Sequence, residues 1–156
     1  MRNLSRILLR IPVPWVFILA YLLGVGLELA FPIVKHKTGM GSIGIAGGVI
    51  FIVGAVIAGW GLIIFHRART TTVPGKVSAK FVTYGPYRMT RNPMYVGLVL
   101  AYIGEAGILK QVWPLIFLPL VVFYVNSIVI PLEEARLEET FGEEYQRYRD
   151  QVRRWI

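Results

Sequence analysis

The stretch SIGIAGGVIFIVGAVIAGWGLIIF, Ser42 to Phe65, runs for 24 residues without one charged side chain. As an α-helix it would measure about 36 Å, more than the roughly 30 Å of a bilayer's hydrocarbon core. Apolar residues occupy every face of it, so it has no stripe to turn toward water. A chain segment in lipid must satisfy its own backbone polar groups, which leaves the helix as its conformation. Three further runs share this character. Val13–Phe31 is interrupted only by Glu28, Met94–Leu109 only by Glu105, and Val112–Leu132 by no charge at all. The expected fold is therefore all-α: a polytopic membrane helix bundle with about four transmembrane helices.

The rest of the composition narrows the function. Only 17% of the 156 residues are charged, below the quarter typical of soluble domains. A net charge of +8 would suggest nucleic acid in a soluble protein, but here the charges follow the spans. Fourteen of the 17 Lys and Arg residues fall in the leader, in the loop between the second and third runs, and after the last run. Cationic loops stay in the cytoplasm, so both termini and the Arg67–Asn92 loop are expected there, against anionic headgroups and away from nucleic acid. Arg2, Arg6 and Arg10 precede the first run, yet it is too long for a signal peptide and no small-residue cleavage site follows it. With no cysteine and with His36 and His66 in unrelated loops, no metal site is expected.

The chain reads as one domain over residues 1–156, with a two-helix N-terminal part (1–66) and a more polar signature region (67–156). In the second run, small residues stand four apart at Gly44/Gly48, Gly54/Ala58 and Ala55/Gly59, a spacing that lets helices approach closely in lipid. Glu28 and Glu105 lie near the outer ends of their spans, beside Lys35, Lys37 and Lys110, and are read as pairing there. Beyond Pro131, the residues Leu137, Phe141, Tyr145, Tyr148, Val152 and Trp155 form one apolar stripe at helical spacing. That pattern predicts a C-terminal amphipathic helix along the membrane or over the loop, with a break at Gly142.

The loop carries the most specified segment, YGPYRMTRNPMYVGL, Tyr84 to Leu98. Before it, Lys80 to Tyr84 alternates like an extended arm, and Gly85-Pro86 turns the chain. Asn92-Pro93 is a helix start, Asn being a favoured cap and Pro a favoured first helical residue. A helix N-terminus offers free N–H groups and partial positive charge to an anion. Arg88 and Arg91 add charge, while Tyr84, Tyr87 and Tyr95 add flat faces and hydroxyls. Glu133 and Glu134 reach the same membrane face from the last span. An anion-binding end, aromatic walls and a carboxylate suit a zwitterionic, partly aromatic cofactor.

GPYRMTRNPMYVG followed by EEARLEETFGEEYQRYRDQVRRW resembles the paired signature of the isoprenylcysteine carboxyl methyltransferase and phospholipid methyltransferase family. That resemblance implies an integral-membrane enzyme using S-adenosyl-L-methionine on a lipid-like or prenylated acceptor at the cytoplasmic face. Carried over by position, it implies cofactor contacts at Lys80, Phe81, Val82, Tyr87, Asn92, Pro93, Met94, Tyr95 and Glu133. Glu133 and Glu134 are then the candidate catalytic residues, positioning the cofactor or accepting a proton. Asn92 stands where the family has histidine, and Val129 where carboxyl-methylating members carry an arginine associated with the substrate carboxylate. Two alternatives are a small non-catalytic membrane scaffold and an NADPH-dependent membrane reductase, the sterol reductases being distantly similar in the C-terminal region.

The charge distribution makes a direct prediction. Single cysteines at Ser5 and Ser78, in an otherwise cysteine-free chain, should resist an impermeant thiol reagent added from the outer side. Efficient labelling from that side would overturn the assigned orientation.

Overall fold

In a computed structural model of the protein, residues 12–33, 41–67 and 81–156 are described. Helices α1 (Val13–Ala30), α2 (Ser42–Arg67), α3 (Pro93–Leu109) and α4 (Trp113–Tyr124) make the bundle. A π-helical turn, Val125–Val129, joins α4 to α5 (Ile130–Phe141), and α6 (Glu143–Gln151) follows. A 3₁₀ turn, Gly85–Arg88, lies within the loop ahead of α3. No strand occurs among the described residues. Among the described residues, three helical stretches are long and apolar enough to cross a membrane: Val13–Ala30, Ser42–Arg67 and the continuous Trp113–Phe141. The fourth apolar helix, α3, has 17 residues, or about 26 Å.

The closest packing is between α2 and α3, and it runs on glycine. A Cβ built on Gly54 would lie 2.6 Å from the Gly97 carbonyl oxygen, and one on Gly97 would lie 2.6 Å from the Gly54 oxygen and the Ala58 nitrogen. A Cβ on Gly47 would meet the Gly104 oxygen at 2.7 Å, and Gly104 in turn faces the Phe51 backbone. These pairings make the helices antiparallel and bring backbone against backbone. The expected four-residue spacing is thus only partly the operative one. Buried Gly47, Gly54 and Gly61 stand seven apart on α2, opposite Gly97 and Gly104, also seven apart. Seven residues are nearly two turns, so the seam stays on one face. Gly48 and Gly59 have nothing within 4 Å and face outward.

Helix α1 packs on α4, with Gly24 against the Pro114 backbone. Tyr102 sits between them, edge-on to Tyr21 at 4.9 Å and to Phe17 at 6.2 Å, and its hydroxyl donates to the Pro114 carbonyl at 2.9 Å. Glu28 does more than meet a surface lysine. Its carboxylate accepts from the backbone N–H groups of Val112 (2.8 Å), Trp113 (3.0 Å) and Ile33 (3.2 Å). It is buried and caps α4, where orphan donors and the helix dipole both favour a carboxylate. Lys35 and Lys37 lie outside the described residues.

Two features mark the C-terminal end. The helix does not stop at Pro131 but continues from α4 through the π-helical turn to Phe141. Proline lacks an N–H and crowds the carbonyl four residues back, and the wider turn just before it accommodates both. Gly142 does break the amphipathic segment, at φ 50°, a conformation glycine adopts freely. The helix then stops at Gln151, with Val152 extended (φ −121°, ψ 130°), so Trp155 is not part of it.

Gly97→Val should lower the melting temperature in detergent sharply, since its side chain meets backbone and overpacking typically costs about 1–3 kcal/mol. Gly48→Ala, facing open space, should stay within roughly 0.5 kcal/mol of the parent. Equal melting temperatures for the two variants would show that the glycine seam is not what joins α2 to α3.

Candidate active site

The start of α3 is as expected, with Pro93 in the first turn and Asn92 just before it. Asn92 makes no side-chain cap, however. Its amide donates instead to the Arg154 carbonyl at 2.9 Å. The Thr90 hydroxyl donates to that same carbonyl at 3.0 Å and accepts from the Asn92 N–H at 3.1 Å. The Arg91 N–H donates to the Arg153 carbonyl at 2.9 Å. The chain after α6 therefore lies across the mouth of α3. Extended backbone has no internal partners, and the polar residues before α3 supply donors for it.

The acidic pair divides in role. Adjacent helix residues project in different directions, and here each glutamate finds its own partners. Glu133 accepts a hydrogen bond from the Tyr95 hydroxyl at 2.8 Å, joining α5 to the first turn of α3. Glu134 is held by two arginines. Arg154 donates to both of its oxygens, at 2.6 and 3.2 Å, and Arg91 approaches to 3.1 Å. Its side chain is 15% exposed and that of Arg91 is 11%. Removing Glu134 would strand Arg91. Glu133 has no such fork, and meets the Tyr95 hydroxyl with Arg136 nearby.

Of the arm, Lys80 lies outside the described residues. Phe81 stacks on Phe141 at 5.1 Å and meets Tyr145 and Tyr148 edge-on. Val82 turns the other way, into a cluster with Ile64 and Tyr87. An extended arm with alternate sides packed is what the sequence pattern implies, and it draws both side chains into packing. Tyr87 is buried under Phe65, and its carbonyl accepts from the Tyr148 hydroxyl at 2.7 Å. Its own hydroxyl lies near Met94 and close to Gly61, 3.6 Å from where a Cβ there would stand. Burial first, then the neighbouring Tyr148 and Glu133, hold the Tyr87 hydroxyl well above its ordinary pKa, so it stays a proton donor.

Residues Tyr87, Asn92, Pro93, Met94, Tyr95 and Glu133 are thus brought to one end of the bundle, with Phe81 and Val82 beside them. Among the described residues, four buried side-chain polar atoms have no partner: the hydroxyls of Tyr87 and Tyr145, and Nε and Nη1 of Arg91. Leaving such groups unmade costs about 1–3 kcal/mol each. All four can donate, and the Arg91 pair carries charge, so they fit a ligand with anionic or carbonyl-like oxygens. Glu133 fits a cationic group on the same ligand. Burial pushes the Tyr145 pKa up to about 12, which keeps that hydroxyl protonated as well.

Several of these residues escaped sequence reasoning. Arg154 was one cation among several, Trp155 one member of an apolar stripe, and Asn126 a polar residue inside an apolar run. In the structure the Trp155 indole N–H donates to Asn126 Oδ1 at 2.9 Å, within the π-helical turn. The available signal was that Asn126 is a lone amide in lipid-length sequence, which calls for a partner.

The phospholipid methyltransferase family model matches residues 43–144 of the chain, from α2 through the motif and both glutamates. A protein of Oryza sativa subsp. indica named "Probable protein-S-isoprenylcysteine O-methyltransferase" is 29% identical over 126 residues, covering 80% of this chain and 64% of that protein. Protein-S-isoprenylcysteine O-methyltransferase A of Arabidopsis thaliana is 27% identical over 128 residues, covering 80% and 62%. An uncharacterized protein of Haemophilus influenzae is 33% identical over 63 residues, 40% of this chain and all of its own. The chain spans less than two thirds of the plant relatives' length. No solved structure matches it. A match over most of the chain, running through the helix start and the acidic turn that face each other here, shows that the protein belongs to the phospholipid methyltransferase family.

Proposed function

We propose that the protein transfers a methyl group from S-adenosyl-L-methionine to a lipid-like or prenylated amphiphile at the cytoplasmic face of a membrane. The observation that carries this reading is the Tyr95–Glu133 hydrogen bond at the mouth of α3, flanked by buried donors that lack partners. When bound, the cofactor supplies an electrophilic sulfonium methyl, which an acceptor takes by in-line displacement. The protein's part is then to position and to exclude water. Glu133, oriented by Tyr95, holds the cationic amino end. Tyr87 and the N–H groups of Met94 and Tyr95, which no carbonyl within the helix takes, offer donors to oxygens, and Asn92, Pro93 and Met94 form the wall. Lys80 and the backbone of Phe81 and Val82 would border the same space. Neither a nucleophile nor a metal is required, which suits a chain without cysteine.

The position at which the family resemblance puts a substrate arginine is apolar here. Val129 and Ile130 are at most 1% exposed, packed in the core with Tyr95 and Val125. An arginine at position 129 would have to bury its charge in that core, so Val129→Arg should destabilise rather than add activity. A carboxylate acceptor would find no cation at position 129, and burying it unpaired is costly. A neutral or amine-bearing amphiphile meets no such penalty. The cytoplasmic orientation rests on the arginine and lysine distribution.

The test is transfer of tritium from methyl-labelled donor into lipid-extractable material by the purified protein in bilayers. Incorporation into neutral or amine lipids well above that into a prenylcysteine carboxylate analogue is expected. No transfer to any amphiphile would sink the reading. Glu133→Gln should weaken S-adenosylhomocysteine binding about 10- to 150-fold, the loss of one charged hydrogen bond of about 1.5–3 kcal/mol, with the bundle still folded. Unchanged affinity in that variant would reduce Glu133 to an interfacial carboxylate.

A further inference from the structure

Among the described residues, α3 and α5 carry the two halves of the candidate site, yet they do not pack along one another. Two direct ties join these halves, Tyr95 to Glu133 and Arg91 to Glu134. Several further polar ties run through residues 152–156, beyond the part of the chain that the family model matches. The Arg153 and Arg154 carbonyls take three donors from Thr90, Arg91 and Asn92. The Arg154 guanidinium forks onto Glu134 of α5, and the Trp155 indole reaches Asn126 in the π-helical turn. One short extended segment thus binds the start of α3, the acidic turn of α5 and the end of α4 at once.

We propose that residues 152–156 are a strap that sets the separation of α3 from α5, with Arg154 and Trp155 as positioning residues for donor binding; the second half of this claim rests on the functional reading above. The chemistry is one of assignment. Glu133 and Glu134 are neighbours, and a Glu134 without its arginines would set a second uncompensated carboxylate beside the first and compete for a cationic group. The bidentate Arg154 fork, reinforced by Arg91, occupies both Glu134 oxygens and leaves Glu133 as the single acceptor. The Arg154 carbonyl meanwhile fixes Asn92 and Thr90, and so fixes the first N–H groups of α3 relative to Glu133. Trp155 locks the strap's far end to an amide that otherwise lies within an apolar helix.

The chain has no cysteine, so two spin labels can be placed without background. Met89→Cys, at a 75% exposed position, and Ala135→Cys, also exposed, put one label on each half. In the ligand-free parent a single narrow distance is expected by electron–electron resonance. Arg154→Met should broaden it and weaken S-adenosylhomocysteine binding about tenfold or more, as loss of a charge-assisted pair does. Arg154→Lys, which keeps the charge without the fork, should recover part of both. If Arg154→Met does not fold, Trp155→Phe serves, since it keeps a ring and removes only the N–H donor. Broadening with a roughly threefold affinity loss is expected there. A narrow, unshifted distance in a folded Arg154→Met or Trp155→Phe variant overturns the strap. Broadening in a protein whose parent binds no S-adenosylhomocysteine leaves the strap standing and removes the functional reading.

Discussion

Backbone contact between α2 and α3 is the constraint from which the rest of the structure follows. Lipid tails are as apolar as leucine, so helices inside a membrane gain little from hiding apolar surface and associate through close packing instead. Gly47 and Gly54 on one helix, and Gly97 and Gly104 on the other, remove the side chains that would hold the two apart. The seam fixes more than stability. It places Gly61 and the end of α2 beside Met94 and Tyr87, and so it fixes where the mouth of α3 opens. The second pair, α1 with α4, then closes around Tyr102 and Tyr21.

Three buried or half-buried carboxylates show how such a bundle handles charge. At the end away from the site, Glu28 takes three backbone N–H groups and anchors the start of α4. At the site end, Glu134 is neutralised by two arginines, and Glu133 faces a tyrosine. Backbone N–H groups at a helix N-terminus help to carry one negative charge, while arginines meet another in the interior turn. Glu133 has neither a cap nor an arginine fork and bonds instead to the Tyr95 hydroxyl. That difference separates two adjacent glutamates that composition treats as equivalent.

Much of this was legible in the sequence because it is written in periodicity and in backbone-specific residues. Uncharged runs gave the helices, Asn92-Pro93 gave the start of α3, and Gly142 gave the break between α5 and α6. The glycine seam was visible as small residues, but its seven-residue register was not, since Gly44, Gly47, Gly48, Gly54 and Gly59 support several registers until a partner helix is in place. Pro131 and the acidic pair suggested a return to the membrane surface, but not that one helix runs on past them. The π-helical turn that carries the helix through them is a rearrangement of backbone bonds with no sequence mark. The strap was hidden for a similar reason. Its contacts use the carbonyls of Arg153 and Arg154, and any residue has a carbonyl, so only the fold reveals which ones are met by Thr90, Arg91 and Asn92.

The central claim is that the mouth of α3 and Glu133 form a donor site of methyl-transfer type. Calorimetric titration of the purified protein in detergent with S-adenosylhomocysteine, and separately with NADPH, addresses it most directly. The account predicts saturable one-to-one binding of S-adenosylhomocysteine and none of NADPH. Binding of NADPH alone would point to reductive chemistry, and binding of neither to a scaffold; either result would contradict it.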